Sequence, residues 1–290
     1  MTAFDTTICA LGEGALWHPL RQELFWFDIT GKRLLRKGSG PTTVHHLPEM
    51  HSAAAWIDEN RLLVASETAL WEMEIDTGTR TRLIALEDDN PITRSNDGRC
   101  DPWGGFWIGT MGKSAEEGAG AIYRYAHGEL RRLYALISIP NAMCFDRGRG
   151  CAYFADTAAG KLYRVSVDAM GWPEGEPKVL VDFAKHGLNP DGAVVLADGR
   201  LAVALWGASA VVMVDHDGTL GDRIALPAPH VTCPAMGGAD CTTLYCTSAT
   251  EGMDADALSA APLAGATFAI EGAPMGLPEP AFPLPTGGTR

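Results

Sequence analysis

The sequence lacks the marks of a membrane or exported protein. It has no run of 18 apolar residues, so no transmembrane helix is expected. Residues 1–11 carry no basic region followed by an apolar run, so no secretory leader is expected. The seven cysteines include no paired Cys-x-x-Cys motifs, which excludes the usual structural zinc site. They are expected to be reduced thiols in a cytoplasmic protein. Basic residues are scarce: 23 against 36 acidic ones, a net charge of −13. Such a surface repels phosphate backbones, so neither nucleic acid nor membrane is an expected partner. No Gly-x-Ser-x-Gly elbow occurs, and serine hydrolase chemistry is unsupported.

Turn formers are abundant instead. The chain has 33 glycines and 18 prolines in 290 residues, which favours many short strands over long helices. A strand–turn–strand pattern recurs. Its copies open with LFWFD at 24–28, LLVAS at 62–66, FWIGT at 106–110, AYFAD at 152–156, LAVAL at 201–205 and LYCTS at 244–248. Clusters of Asp, Asn, Gly and Pro precede most of them, as tight turns require. A period of 38 to 49 residues with several short strands per unit predicts an all-β, six-bladed β-propeller. No linker separates the copies, so residues 1–290 are expected to form one domain. Residues 4–10 are expected to complete the last blade. The proline-rich stretch 274–285 is expected to form an extended closing segment.

Counting back 10 or 11 residues from each copy reaches Glu13, His51, Asn96, Asn141, Asp191 and Cys233. Equivalent positions of successive blades ring the propeller axis. Carboxylates and amides converging there repel or go unsatisfied unless a cation sits between them. The oxygen-rich set Glu13, Asn141 and Asp191 suits one hard divalent ion, Ca²⁺, Mg²⁺ or Mn²⁺, with Zn²⁺ and Fe²⁺ also admissible. Three protein ligands leave positions for water and substrate. Cys233 reads as a small buried residue. His51 reads equally as a satisfied turn histidine or as a channel-lining partner for substrate.

These residues lie in motifs that resemble the senescence-marker-protein/gluconolactonase family, which includes regucalcin and bacterial sugar lactonases. LGEGALW at 11–17 resembles the family's opening motif, with Ala15 in place of proline. RSNDGRCDP at 94–102, followed by WIGTM at 107–111, is the most specific match. IPNAMCFD at 139–146 has Ala142 where glycine is usual, and PDGAV at 190–194 and EGMD at 251–254 continue the likeness. The resemblance implies a six-bladed propeller, metal ligation by Glu13, Asn141 and Asp191, and contact of Arg94 and Asn96 with substrate or metal-bound water. It also implies a proton-shuttling role for Asp191.

The expected activity is divalent-metal-dependent hydrolysis of a sugar lactone, such as a glucono-, xylono- or arabinono-lactone, to the aldonic acid. The alternatives are phosphotriester or other ester hydrolysis in the same channel, and a calcium-binding or scaffold propeller without turnover. A monomer or weak dimer is expected. Asp97 and Asp101 read as turn residues, Asp28 and Asp156 as structural, and Trp206 and Phe154 as core.

Overall fold

The computed structural model describes residues 2–284. Its elements are almost all strands; one short helix, Ala255–Ala260, and one 3-10 turn, Phe183–His186, are the exceptions among the described residues. No helix among them is long and apolar enough to cross a membrane.

The expected hairpins are all present, each lying outside one further strand. These inner strands are Gly12–His18, His51–Asp58, Thr93–Cys100, Pro140–Asp146, Asn189–Val195 and His230–Gly237. Each packs beside the next, and His230–Gly237 returns to Gly12–His18, so the inner strands close a ring. Four of the units are separate four-stranded antiparallel sheets. The remaining eight strands form one sheet, in which two four-stranded runs meet at the single pair Trp206↔His230. The fold is all-β and propeller-like. Strand Thr2–Asp5 pairs antiparallel with Thr267–Ile270, so the chain's start completes its last unit. That covers the outer edge of Thr267–Ile270, and Thr2–Asp5 becomes the edge strand of the unit.

Burial follows position in the unit. Gly12–His18 and Pro140–Asp146 are buried at every residue, because neighbours cover both faces. The outermost Glu129–Ile137 is largely exposed or half-buried. The core lies between adjacent sheets: one cluster joins Tyr153 and Leu162 to Val203 and Val212 of the next unit.

Every inner strand carries a bulge near its start. The register slips between Glu13 and Leu16, His51 and Ala53, Ser95 and Gly98, Asn141 and Cys144, Pro190 and Ala193, and Val231 and Pro234. A bulge leaves residues unpaired and re-aims their side chains. Gly14 and Ala142 follow Glu13 and Asn141 with φ of 58° and 55°. The left-handed backbone suits Gly14, and Ala142 holds it without glycine's freedom.

Groups at or beside the bulges bond across to the next unit. Ser52 Oγ donates to Asn96 O (2.5 Å), Asn96 Nδ2 to Pro140 O (2.9 Å) and Thr232 Oγ1 to Gly12 O (2.5 Å). Each such bond contributes about 1 kcal/mol.

The closing segment crosses the far ends of the inner strands, away from Glu13. Ala197 N bonds to Met275 O, Gly276 N to Cys241 O, and Phe282 N to Trp56 O. Phe282 is buried and stacks on Tyr125 at 5.6 Å. Glu279 enters the channel end and pairs with Arg99. Residues 274–284 of the expected closing segment form neither helix nor strand apart from one bridge, Leu196↔Gly276, and Pro285 lies outside the described residues.

Candidate active site in the channel

The bulges gather polar side chains at the mouth opposite the closing segment. A cavity of about 320 Å³ opens there, and Glu13, Arg94, Asn96, Asn141 and Asp191 all line it. All five are buried. Five sequence-predicted residues therefore share one site.

A hydrogen-bonded chain orders one side of it. Arg94 Nη1 donates to Asn96 Oδ1 (2.8 Å) and to Ser95 O (2.9 Å). Asn96 Nδ2 donates to Asn141 Oδ1 (2.9 Å), Asn141 Nδ2 to Thr157 Oγ1 (2.8 Å), and Thr157 Oγ1 to Pro190 O (2.6 Å). The chain crosses three units and ends beside Asp191. Nε and Nη2 of Arg94 make no bond to protein among the described residues, so they remain available at the cavity.

The other side is acidic. Burial, first, pushes the Glu13 and Asp191 carboxyls up; repulsion from Asp97 adds to both shifts, and repulsion from Glu13 adds to that of Asp191. Asp97 is itself fully buried and pushed up by burial. Burial likewise lowers Arg94, and Glu251, Glu13 and Asp191 oppose that shift. Arg94 offsets part of the cost to the carboxyls, and a further cation between the two would favour ionising both. Their oxygens, with Asn141 Oδ1, fit a hard divalent ion. Asn141 Oδ1 has a second lone pair beyond the one Asn96 uses. Among the described residues no group of three or more His, Cys, Asp or Glu could hold a metal ion. The set here is two carboxylates and an amide.

His51 does not line the cavity, and its expected role as a substrate contact is corrected. Its Nδ1 meets Glu49 O at 3.0 Å, its Nε2 meets Arg80 Nη1 at 2.6 Å, and its ring stacks on Phe27. Both nitrogens are engaged, which leaves the satisfied-histidine alternative. The expected ring is also not one register. Glu13, His51 and Asn141 are the last paired residues before their bulges, whereas Asn96, Asp191 and Cys233 are unpaired bulge residues. Cys233 is buried and free.

Asp97 is no turn residue: its Oδ2 accepts from Met143 N of the next unit at 2.8 Å. Asp101 does serve its turn, accepting from Trp103 N and Gly105 N at 2.9 Å, and also pairs with Arg124. Asp28 and Asp156 are structural, accepting from Leu11 N and Ser138 N. Trp206 packs against the core, as expected, and also lines the cavity, where Thr157 and Glu251 join it. No motif in the sequence marks Thr157 or Trp206; Glu251 stands in a matched segment but without an assigned role.

The comparisons with known proteins follow the same motifs. The profile described as SMP-30/gluconolactonase/LRE-like region matches residues 11–250. The chain is 44% identical to a Rhizobium meliloti (strain 1021) protein provisionally named sugar lactone lactonase, over 94% of each chain. It is 34% identical to the L-arabinolactonase of Azospirillum brasilense, covering 93% of this chain and 91% of that one. It superposes on the crystal structure of a calcium-binding protein, regucalcin, from Agrobacterium tumefaciens C58 with a TM-score of 0.95, at 41% identity and 97% coverage of both chains. The profile spans most of the chain and includes every lining residue named above except Glu251, which follows it directly. The chain belongs to the SMP-30/gluconolactonase/LRE-like family.

Proposed function

We propose that the protein is a divalent-metal-dependent lactonase that opens sugar lactones to aldonic acids in the channel of a single-domain, six-bladed propeller. The blade count rests on reading the eight-stranded sheet as two blades that share one bridge, Trp206↔His230. The observation that carries the activity is the meeting of Glu13, Asn141 and Asp191 with the Arg94–Asn96 pair in one cavity. The names of the relatives, L-arabinolactonase among them, support the substrate class.

Glu13, Asn141 and Asp191 would hold the ion, Ca²⁺, Mg²⁺, Mn²⁺, Zn²⁺ or Fe²⁺. When bound, it would polarise the lactone carbonyl and acidify water. The chain's own residues do the rest. Asp191 takes a proton from the attacking water as its oxygen bonds to the carbonyl carbon. The ring C–O bond then breaks, and the same proton passes to the departing alkoxide. Free N–H groups of Arg94 hold substrate oxygens without giving up a proton. Asn96 keeps the Asn141 amide turned toward the cavity. A reducing, cytoplasmic setting belongs to this reading, because all seven cysteines stand unpaired.

The test is a pH-indicator screen of aldonolactones with metal-stripped protein, repeated for each divalent ion. Turnover that appears only on adding an ion supports the proposal. Metal binding without turnover on any lactone would favour a calcium-binding protein, as the name of the Agrobacterium relative suggests. Phosphotriester cleavage exceeding lactone turnover would favour the other ester chemistry.

A further inference from the structure

The cavity has one aromatic wall, and its sequence neighbourhood gives that wall no assigned task. Trp206 is the sole aromatic residue among those lining the cavity. It ends strand Leu201–Trp206 and pairs with His230 at the only bridge between the two halves of the eight-stranded sheet. The two rings stack with centroids 4.1 Å apart and planes 10° from parallel. That contact holds the indole flat. Its N–H makes no hydrogen bond to protein among the described residues.

The backing is neutral. Burial lowers His230 below the ordinary imidazole range, and its buried Nδ1 has no partner in the described protein. An uncharged ring therefore supports the indole at neutral pH.

Glu251 lines the same cavity from the turn after strand Thr243–Ala249. Backbone bonds from Thr250 N (3.0 Å) and Glu251 N (2.9 Å) to Ala10 O pin this turn. The Glu251 carboxylate accepts no hydrogen bond from protein among the described residues, and it is the strongest charge acting on Arg94. A flat apolar surface thus faces a cavity that also holds an unused carboxylate and unused guanidinium N–H groups.

A polyhydroxylated ring matches both. Its C–H faces are apolar and its rim carries hydroxyls that donate. An aromatic side chain offers a large apolar face at low entropic cost. A few placed polar groups then fix orientation.

Resting on the lactonase reading, we propose that Trp206 and Glu251 determine specificity: the indole supports the C–H face of the lactone ring, and Glu251 accepts from its hydroxyls. Through the Glu251 contact the site then selects polyhydroxylated lactones over plain aliphatic ones.

The experiment compares an aldonolactone with γ-butyrolactone, which has the same reacting ester and no hydroxyls. Wild type, Trp206→Ala, Trp206→Phe, Glu251→Gln and Glu251→Ala are assayed at saturating metal. Thermal unfolding of each variant is recorded alongside. On the aldonolactone, Trp206→Ala is expected to raise KM about 10-fold with kcat changed less than about 3-fold, and Trp206→Phe to recover most of it. Both Glu251 variants are expected to lose about 10-fold or more in kcat/KM, as for a hydrogen bond to a charged group. On γ-butyrolactone both Glu251 variants stay within about 3-fold of wild type, whereas Trp206→Ala loses on both substrates, because both rings present a C–H face to the indole. Equal losses of the Glu251 variants on both substrates, or no loss of Trp206→Ala or Glu251→Ala on the aldonolactone, would overturn the assignment while leaving the lactonase reading intact. Absence of wild-type turnover on both would overturn that reading, and this inference with it. Trp206→Phe and Glu251→Gln keep the test decisive should Trp206→Ala fold poorly.

Discussion

Asn96 Nδ2 donates to Asn141 Oδ1 over 2.9 Å, joining the bulges of two neighbouring sheets. The bond orients the one amide in the candidate ligand set. Partners that orient metal ligands are worth about 10- to 100-fold in metal affinity. Asn96→Ala is expected to weaken divalent-ion binding by about that factor, measured by calorimetric titration. Unchanged affinity would mean that Asn141 is held by Thr157 alone.

Arg94→Ala tests the substrate clamp. The guanidinium touches Asn96 but is not in the ligand set. The variant is expected to lose lactone kcat/KM by about 1.5 to 3 kcal/mol while metal affinity stays within about 3-fold. Lost metal affinity with normal turnover per bound ion would move Arg94 into a metal-supporting role.

Asp191 and Glu13 carry like charges into the same cavity, yet the proposal gives only Asp191 a proton to move. Glu13→Gln is expected to recover most of its rate when the metal concentration is raised. Asp191→Asn is expected to remain depressed by about 10² to 10⁴ at saturating metal, the usual value of a positioned general base. Full recovery of Asp191→Asn would remove the side-chain base from the mechanism.

His51 gives a pH dependence of stability. Burial pulls it down to about 4, against 6.5 for an exposed imidazole. Between these values the unfolded chain binds a proton that the folded protein does not, so stability rises with pH across the window. The contribution is complete above about pH 6.5 and is lost as pH falls toward 4. His51→Asn is expected to flatten the thermal-midpoint profile between pH 6.5 and 4.5 relative to wild type. An unchanged slope would show that other histidines carry it.

Glu279 and Arg99 meet at the far end of the channel, 180 residues apart in sequence and both nearly inaccessible. Burial opposes the Arg99 charge, and Glu279 is the largest influence sustaining it. Glu279→Ala leaves that guanidinium without its partner and is expected to lower stability by about 3 to 5 kcal/mol in urea denaturation. A loss below about 1 kcal/mol would show that Asp97 suffices to compensate Arg99.

Strand chemistry and turn chemistry are local, and the sequence determined them. Each LFWFD-like run sits on a strand, because alternation and flanking Asp, Gly and Pro act within a few residues. The motifs around Glu13, Arg94, Asn96, Asn141 and Asp191 were legible for the same reason: each is a short segment whose residues stay together after folding. The depth of each residue in the channel was not legible. A bulge inserts one residue and changes which side chain faces the axis. Counting from the hairpins therefore placed His51 and Cys233 level with Asp191, whereas the tertiary structure turns His51 onto Arg80 and leaves only Asp191 of the three in the cavity wall. Asp97 looked like a turn residue because its partner, Met143 N, belongs to the next sheet. Trp206 does pack against the core, but its place at the cavity was hidden because its stacking partner, His230, comes from another strand run. The Thr157 link likewise joins one unit to the next, and the Arg99–Glu279 pair joins segments 180 residues apart. Contacts between units depend on how the ring closes, and only the folded chain decides that.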